Sequence, residues 1–305
     1  MNIDNVNIVD ELNINDINLF NVDGNTRSKN DINNKNRENI ISKIINNKIP
    51  VEYYGLLNWS NLKTQVDNYL KRICPNNIDY KSCNIKCDIK GGRGNSYDFN
   101  ISFDNISIPV EWKFNAKKIS QCPQWTSPHN PSQYMSNNFE ESFYNNCLPN
   151  ICSILNTSIP DKKIFLKQIH NENPECMDLT QSIFYKGAKK SSKYTGYDND
   201  INKTDICKKL INTHIKEFIN NDTLQLNINK LNEKLKGKQQ NKIYMLWKDG
   251  IIHIDKHTID DYTIDKNTEV IKEHNRFIVK TLSGKKMKIL LRWKNGVAYP
   301  GFQIS

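Results

Sequence analysis

From residue 57 onward the chain alternates between two hydrophobic rhythms, one of helical period and one of period two. In "NWSNLKTQVDNYLKRIC" the apolar positions Leu62, Val66, Tyr69, Leu70 and Ile73 recur every three or four residues. This spacing predicts an amphipathic helix that Ser60 can cap and Pro75 stops. A shorter helical stripe, Ile40, Ile41, Ile44 and Ile45, lies in "RENIISKIINNKI". The rhythm then changes to strict alternation in "NIKCDIK", "SYDFNISF" and "IPVEWKF", separated by the glycine turn "GGRGN" and a short link, which predicts two or three antiparallel strands.

Beyond these strands "QCPQWTSPHNPSQYMS" is a proline-bearing loop, and "FEESFYNNCLPNICSIL" is amphipathic. "KKIFLKQI" fits a strand or a helix equally well. Residues 200 to 236 return to helical spacing, with Ile206, Leu210, Ile211, Ile215 and Phe218 on one side. After Gly237 the pattern is of strands again, joined at Asp249-Gly250, Ser283-Gly284 and Asn295-Gly296. The order helix, strands, helices, strands predicts an α/β or α+β fold with a mixed sheet. Three segments follow: an Asn-rich arm over 1–35, a core over 36–199, and a helix pair with a β-rich C-terminal region over 200–305. The arm is expected to be mobile, or else to dock through Leu12, Ile14, Ile17 and Phe20.

The 305 residues carry 43 lysines and arginines against 33 acidic residues, a formal charge of +10, which favours a polyanionic partner. The 46 asparagines, with abundant isoleucine and lysine, point to an A/T-rich genome, so codon bias supplies part of that charge. Eight cysteines without a recognisable leader, in a chain too long for a stapled scaffold, indicate reduced thiols and an intracellular location, cytoplasmic, nuclear or viral rather than secreted. Their spacings lack the second pair that a structural zinc site needs. No apolar run approaches a membrane span.

The strands around residues 96 to 115 carry the candidate chemistry. Tyr97, Phe99, Ile101 and Phe103 share one face, continued by Val110, Trp112 and Phe114 on the next strand. The opposite face holds Asp98, Asn100 and Ser102 beside Glu111, Lys113 and Asn115. A hairpin turning at Asp104-Asn105 sets Asp98 opposite Glu111. Their Cβ atoms would then be about 4.5–5.5 Å apart, so the two carboxylates repel unless a proton or a cation lies between them. Mg²⁺, which takes one or two carboxylates and keeps several waters, resolves that conflict.

Asp98, followed thirteen residues later by Glu111-Trp112-Lys113 and preceded by a helix and a glycine turn, resembles the PD-(D/E)XK nuclease superfamily. Tyr97 stands where the motif has proline, and the resemblance spans roughly residues 60 to 170. It implies a restriction-endonuclease-like mixed sheet flanked by helices and a metal-dependent DNA endonuclease. Asp98, Glu111 and the backbone carbonyl of Trp112 would bind Mg²⁺, with Mn²⁺ as a substitute. Lys113 would orient or help deprotonate the attacking water. An acidic residue on the preceding helix is common in the family, with Glu52 and Asp67 as candidates. Gln133, beside His129 and Tyr134, would be an auxiliary residue. Double-strand cleavage by such folds commonly uses two sites, which by analogy implies a homodimer.

Nucleic-acid contacts are expected from Arg93 in the glycine turn, from Lys189, Lys190 and Lys193 in "KGAKKSSKYTGY", and from Lys286 and Arg292 in "SGKKMKILLRWKNG". The ordinary alternatives are a hairpin turn, a solvated loop, and a charged sheet edge that discourages aggregation. "HIDKH" is too short a metal motif to carry weight. Two other functions fit the same letters: a nucleic-acid-binding protein of this fold without catalysis, and a structural or assembly protein of an A/T-rich virus or protist. Burial separates them, because the nuclease requires Trp112 inside and Asp98 and Glu111 on one face.

Overall fold

Two hydrophobic clusters form, each around its own sheet. The structure, a computed structural model, describes residues 12–21, 27–90, 95–121, 130–169, 201–239, 242–255, 257–293 and 300–305. The first compact unit combines 1–123 with 239–257, and the second combines 124–238 with 258–305. The protein is thus a mixed α/β molecule, but its division is discontinuous. Instead of three consecutive segments, each unit takes two segments that alternate along the chain.

The first unit is a five-stranded sheet in the order β1 (Ile85–Ile89), β2 (Phe99–Phe103), β3 (Ile106–Phe114), β4 (Ile243–Lys248), β5 (Ile251–His253). All neighbours are antiparallel except β3 and β4, which run parallel. Parallel neighbours need a crossover, and here the crossover contains most of the second unit. The β2–β3 register is the one expected, with Phe103 opposite Ile106 and Asp104 at φ +50° in the two-residue turn. The β4–β5 hairpin turns at Asp249 and Gly250, both at positive φ (52° and 77°), as a type I′ turn requires.

Helices α1 (Arg27–Ile45) and α2 (Leu57–Ile73) bury their apolar stripes on one face of this sheet, against Phe99, Ile101, Val110, Trp112 and Met245. α2 begins four residues earlier than a Ser60 cap would set it. The short 3-10 turn Val51–Gly55 leads directly into it, Leu56 is the cap position, and Ser60 is inside the helix, where its carbonyl accepts from the Thr64 hydroxyl.

Residues 12–21 are docked rather than forming a free arm. Ile17 and Phe20 are buried. Four side chains capture the segment's carbonyls: Tyr53 Oη donates to Leu12, Trp59 Nε1 to Ile14, Arg37 Nε to Leu19 and Trp247 Nε1 to Phe20. These main-chain bonds add to the apolar contacts of Ile17 and Phe20 in attaching the segment.

The second unit holds α3 (Phe139–Asn146), α4 (Leu148–Ile154), α5 (Lys162–Ile169), α6 (Ile201–Ile219) and α7 (Ile228–Gln239), whose last residue returns the chain to the first unit. "KKIFLKQI" is therefore helical. An antiparallel sheet follows in the order β6 (Ile271–Glu273), β7 (Arg276–Lys280), β8 (Lys286–Trp293), β9 (Pro300–Ile304). One face of that sheet joins the helices in a cluster built on Phe139, Phe143, Phe277, Ile289 and Phe302. Among the described residues no helix is long and apolar enough to cross a membrane, and Cys74, Cys83, Cys87, Cys147, Cys152 and Cys207 are free thiols.

Candidate active site

The β2–β3 ladder ends at Phe99 and Val110, and the site is built where it stops. There the Asp98 amide donates to the Val110 carbonyl at 3.0 Å, one residue out of step with the ladder. This shift brings the Asp98 side chain to the edge of β3, where Oδ2 accepts the Trp112 amide at 2.8 Å. A carboxylate thus replaces the backbone carbonyl that would otherwise continue the ladder. Its position is fixed by main chain on both sides.

Trp112 itself is buried and packs edge-on against Phe20, with ring centroids 6.2 Å apart. Glu111 and Lys113, its neighbours, project to the other face. Trp112 is inside, as the sequence required, and the charges of Asp98 and Glu111 act on each other. The amide and carbonyl of one strand residue point to the same side. The Trp112 carbonyl is therefore directed to the edge that Asp98 occupies.

Two lysines hold Glu111. Lys113 Nζ is bonded to Oε1, and Lys242 Nζ lies 3.2 Å from Oε2 and 2.8 Å from the Ser96 carbonyl. The Lys242 side chain is only 3% exposed. It stands immediately before β4, whose Tyr244 pairs with Glu111 across the parallel ladder. Burial lowers its pKa and the Glu111 carboxylate opposes that shift.

A third carboxylate, Glu38 on α1, faces the same charges. Burial, then Asp98 and Glu111, raise its pKa to about 8, with Lys113 opposing. Asp98 is raised to about 6, first by burial and then by Glu111, while Lys113 and the Trp112 amide oppose the shift. With Glu38 protonated at neutral pH, the Asp98 and Glu111 carboxylates face the ammonium groups of Lys113 and Lys242 in a partly dry space.

Neither acid expected on the preceding helix is in this cluster. Glu52 is exposed in the Val51–Gly55 turn. Asp67 accepts from Lys63 at 2.9 Å, and its charge acts on Tyr54 and Tyr80. Glu38, not among the expected residues, is the helical acid on which the charges of Asp98 and Glu111 act. It lies on the line of Ile41 and Ile45, and a charged residue on an apolar stripe was the signal that could have identified it. Lys242 left no comparable signal, because only the pairing of β4 beside β3 brings it to Glu111.

The remaining expected residues lie elsewhere. Gln133 is exposed in the 3-10 turn Pro131–Tyr134 of the second unit, and Lys286 and Arg292 are on β8 of that unit. Arg93, His129, Lys189, Lys190 and Lys193 are outside the described residues. In "HIDKH", Asp255 accepts the Ile119 amide at 2.7 Å and His257 packs edge-on against Tyr244, both structural contacts.

No family model, curated protein or solved structure matches the chain. Its chemistry is therefore argued from the site alone.

Proposed function

We propose that the protein is a metal-dependent DNA endonuclease of the PD-(D/E)XK type, with its active site at Asp98, Glu111 and Lys113 and with Glu38 as the helix-borne acid. The observation that carries this is the pair Asp98 and Glu111 at the end of one strand pair, with Asp98 held by the Trp112 amide and Glu111 bonded to Lys113 and Lys242. The mixed sheet with helices packed on it agrees with the architecture that the resemblance implies.

The donor set suits a hard divalent cation. It offers only oxygen, from two carboxylates and a backbone carbonyl. Among the described residues no group of three His, Cys, Asp or Glu side chains is already gathered for a metal. The expected set is smaller, two carboxylates and the Trp112 carbonyl, which matches the habit of Mg²⁺ of keeping waters. When bound, the ion supplies Lewis acidity, lowering the pKa of a coordinated water and offsetting phosphate charge.

The chain's own groups do the rest. Asp98, pinned through Oδ2 by the Trp112 amide, presents its other oxygen at a fixed place. Asp98 and Glu111 would hold the cation, and Lys113, bonded to Glu111, would orient the attacking water and face the scissile phosphate.

The test is cleavage of supercoiled plasmid and of single-stranded circles with Mg²⁺, Mn²⁺ or EDTA, beside Asp98→Asn and Lys113→Ala. Metal-dependent nicking or linearisation lost in both variants is expected. Cleavage retained by either variant sinks the assignment.

A further inference from the structure

The basic run "SGKKMKILLRWK" belongs to β8, and β8 is not an edge strand. It is hydrogen-bonded to β7 on one side and β9 on the other, so its lysines cannot serve to protect an open edge from aggregation. Their placement follows the pleat. Met287, Ile289 and Leu291 enter the apolar cluster, while Lys286 and Lys288 face outward and are exposed. On β7, Phe277 and Val279 point inward, and Lys280 faces outward on the same side as the β8 lysines.

The register sets Lys280 directly opposite Lys286, and Lys288 opposite Ile278. Like charges facing each other across a ladder destabilise a sheet. The nearby carboxylate does not relieve them, since Asp261 pairs with Lys285 at 2.9 Å. Among the described residues Lys280, Lys286 and Lys288 have no ion-pair partner. The acid on this face, Glu273, is opposite Arg276 at the other end of β7. A mutually repelling, unpaired group of cations on a rigid interior strand pair needs external negative charge.

We propose that the outward face of the second sheet binds the phosphate backbone of duplex DNA through Lys280, Lys286 and Lys288. The choice of DNA as the polyanion rests on the function proposed above. The choice of duplex over single strand rests on the face itself. Its other outward strand positions include Ile278, Leu290 and Gln303, and among the described residues of these strands none is an aromatic ring on which an unpaired base could stack.

The experiment is a fluorescence-anisotropy titration of a labelled DNA duplex with the full chain in EDTA, repeated across salt concentrations. The wild type is compared with the triple variant Lys280→Gln, Lys286→Gln, Lys288→Gln, and with a charge-matched control, Lys209→Gln, Lys216→Gln, Lys236→Gln, on exposed helix positions. Each phosphate contact contributes about 0.9 to the logarithmic salt slope, so the sheet variant should lose up to about 2.7 of slope and roughly tenfold in affinity per lysine at 0.1 M salt. The control should lose far less.

Equal behaviour of the two triple variants, a wild type that does not bind the duplex, or a loss confined to single strands or RNA would overturn the proposal. Cleavage that fails in every condition while the slope falls as expected would remove the nuclease and leave the binding face. Cleavage that persists with an unchanged slope would do the reverse.

Discussion

Lys242 provides the sharpest energetic test of the site. In Lys242→Met the ammonium is removed from a place where its side chain is 3% and that of Glu111 12% exposed. Breaking a buried pair by removing one partner costs about 3–5 kcal/mol, because the other charge is left uncompensated. Glu111 keeps Lys113, which lowers the expected cost to about 2–3 kcal/mol, and the abandoned Ser96 carbonyl adds about 1 kcal/mol. The quantity that isolates the pair is the coupling in a double-mutant cycle with Glu111→Gln, expected at about 1.5–3 kcal/mol. Urea unfolding in EDTA, followed by tryptophan fluorescence, gives it, since Trp59, Trp112 and Trp247 all lie in the core of the first unit. A coupling below about 0.5 kcal/mol, the value of an exposed ion pair, would refute the placement of β4 that brings Lys242 to Glu111.

Two further outcomes follow from burial. His214 lies among Phe139, Phe143 and Phe218 with Nε2 3.0 Å from the Ser142 hydroxyl, and burial lowers its pKa to about 4. Its neutral form is the native one, so its contribution is complete above the unfolded pKa of 6.5 and is lost as pH falls from there to about 4. The loss reaches about 3 kcal/mol, and it should be absent from unfolding curves of His214→Phe; an unchanged pH dependence would contradict the burial. Phe20 is 5% exposed and meets Trp247 and Trp112 edge-on at 5.2 and 6.2 Å, so Phe20→Ala should destabilise the first unit by about 3–4 kcal/mol in urea unfolding. A cost below about 1 kcal/mol would mean that residues 12–21 do not hold the core together.

The sequence by itself determined what depends on neighbours along the chain. The alternation of Phe99, Ile101 and Phe103 with Val110 and Trp112, together with a two-residue turn, fixed the hairpin register as far as Phe99 and Val110 and turned Glu111 and Lys113 away from Trp112, because the side-chain period of a strand is two, whereas the out-of-step placement of Asp98 was not legible. The stripe of α2 was equally legible, though its start was not, since a preceding 3-10 turn rather than a side-chain cap begins it.

Tertiary structure alone decided what comes from distant segments. Nothing local places β4 beside β3 after a crossover of more than a hundred residues, so Lys242 could not be assigned to Glu111. Nor does local pattern choose which helical acid feels the charges of the site, and it is Glu38 of α1 rather than Glu52 or Asp67. The same holds for β8, whose lysines read as an edge until β9 paired beside it. Strand order is set by which apolar faces can be buried together, a sum over long-range contacts that no window of the sequence contains.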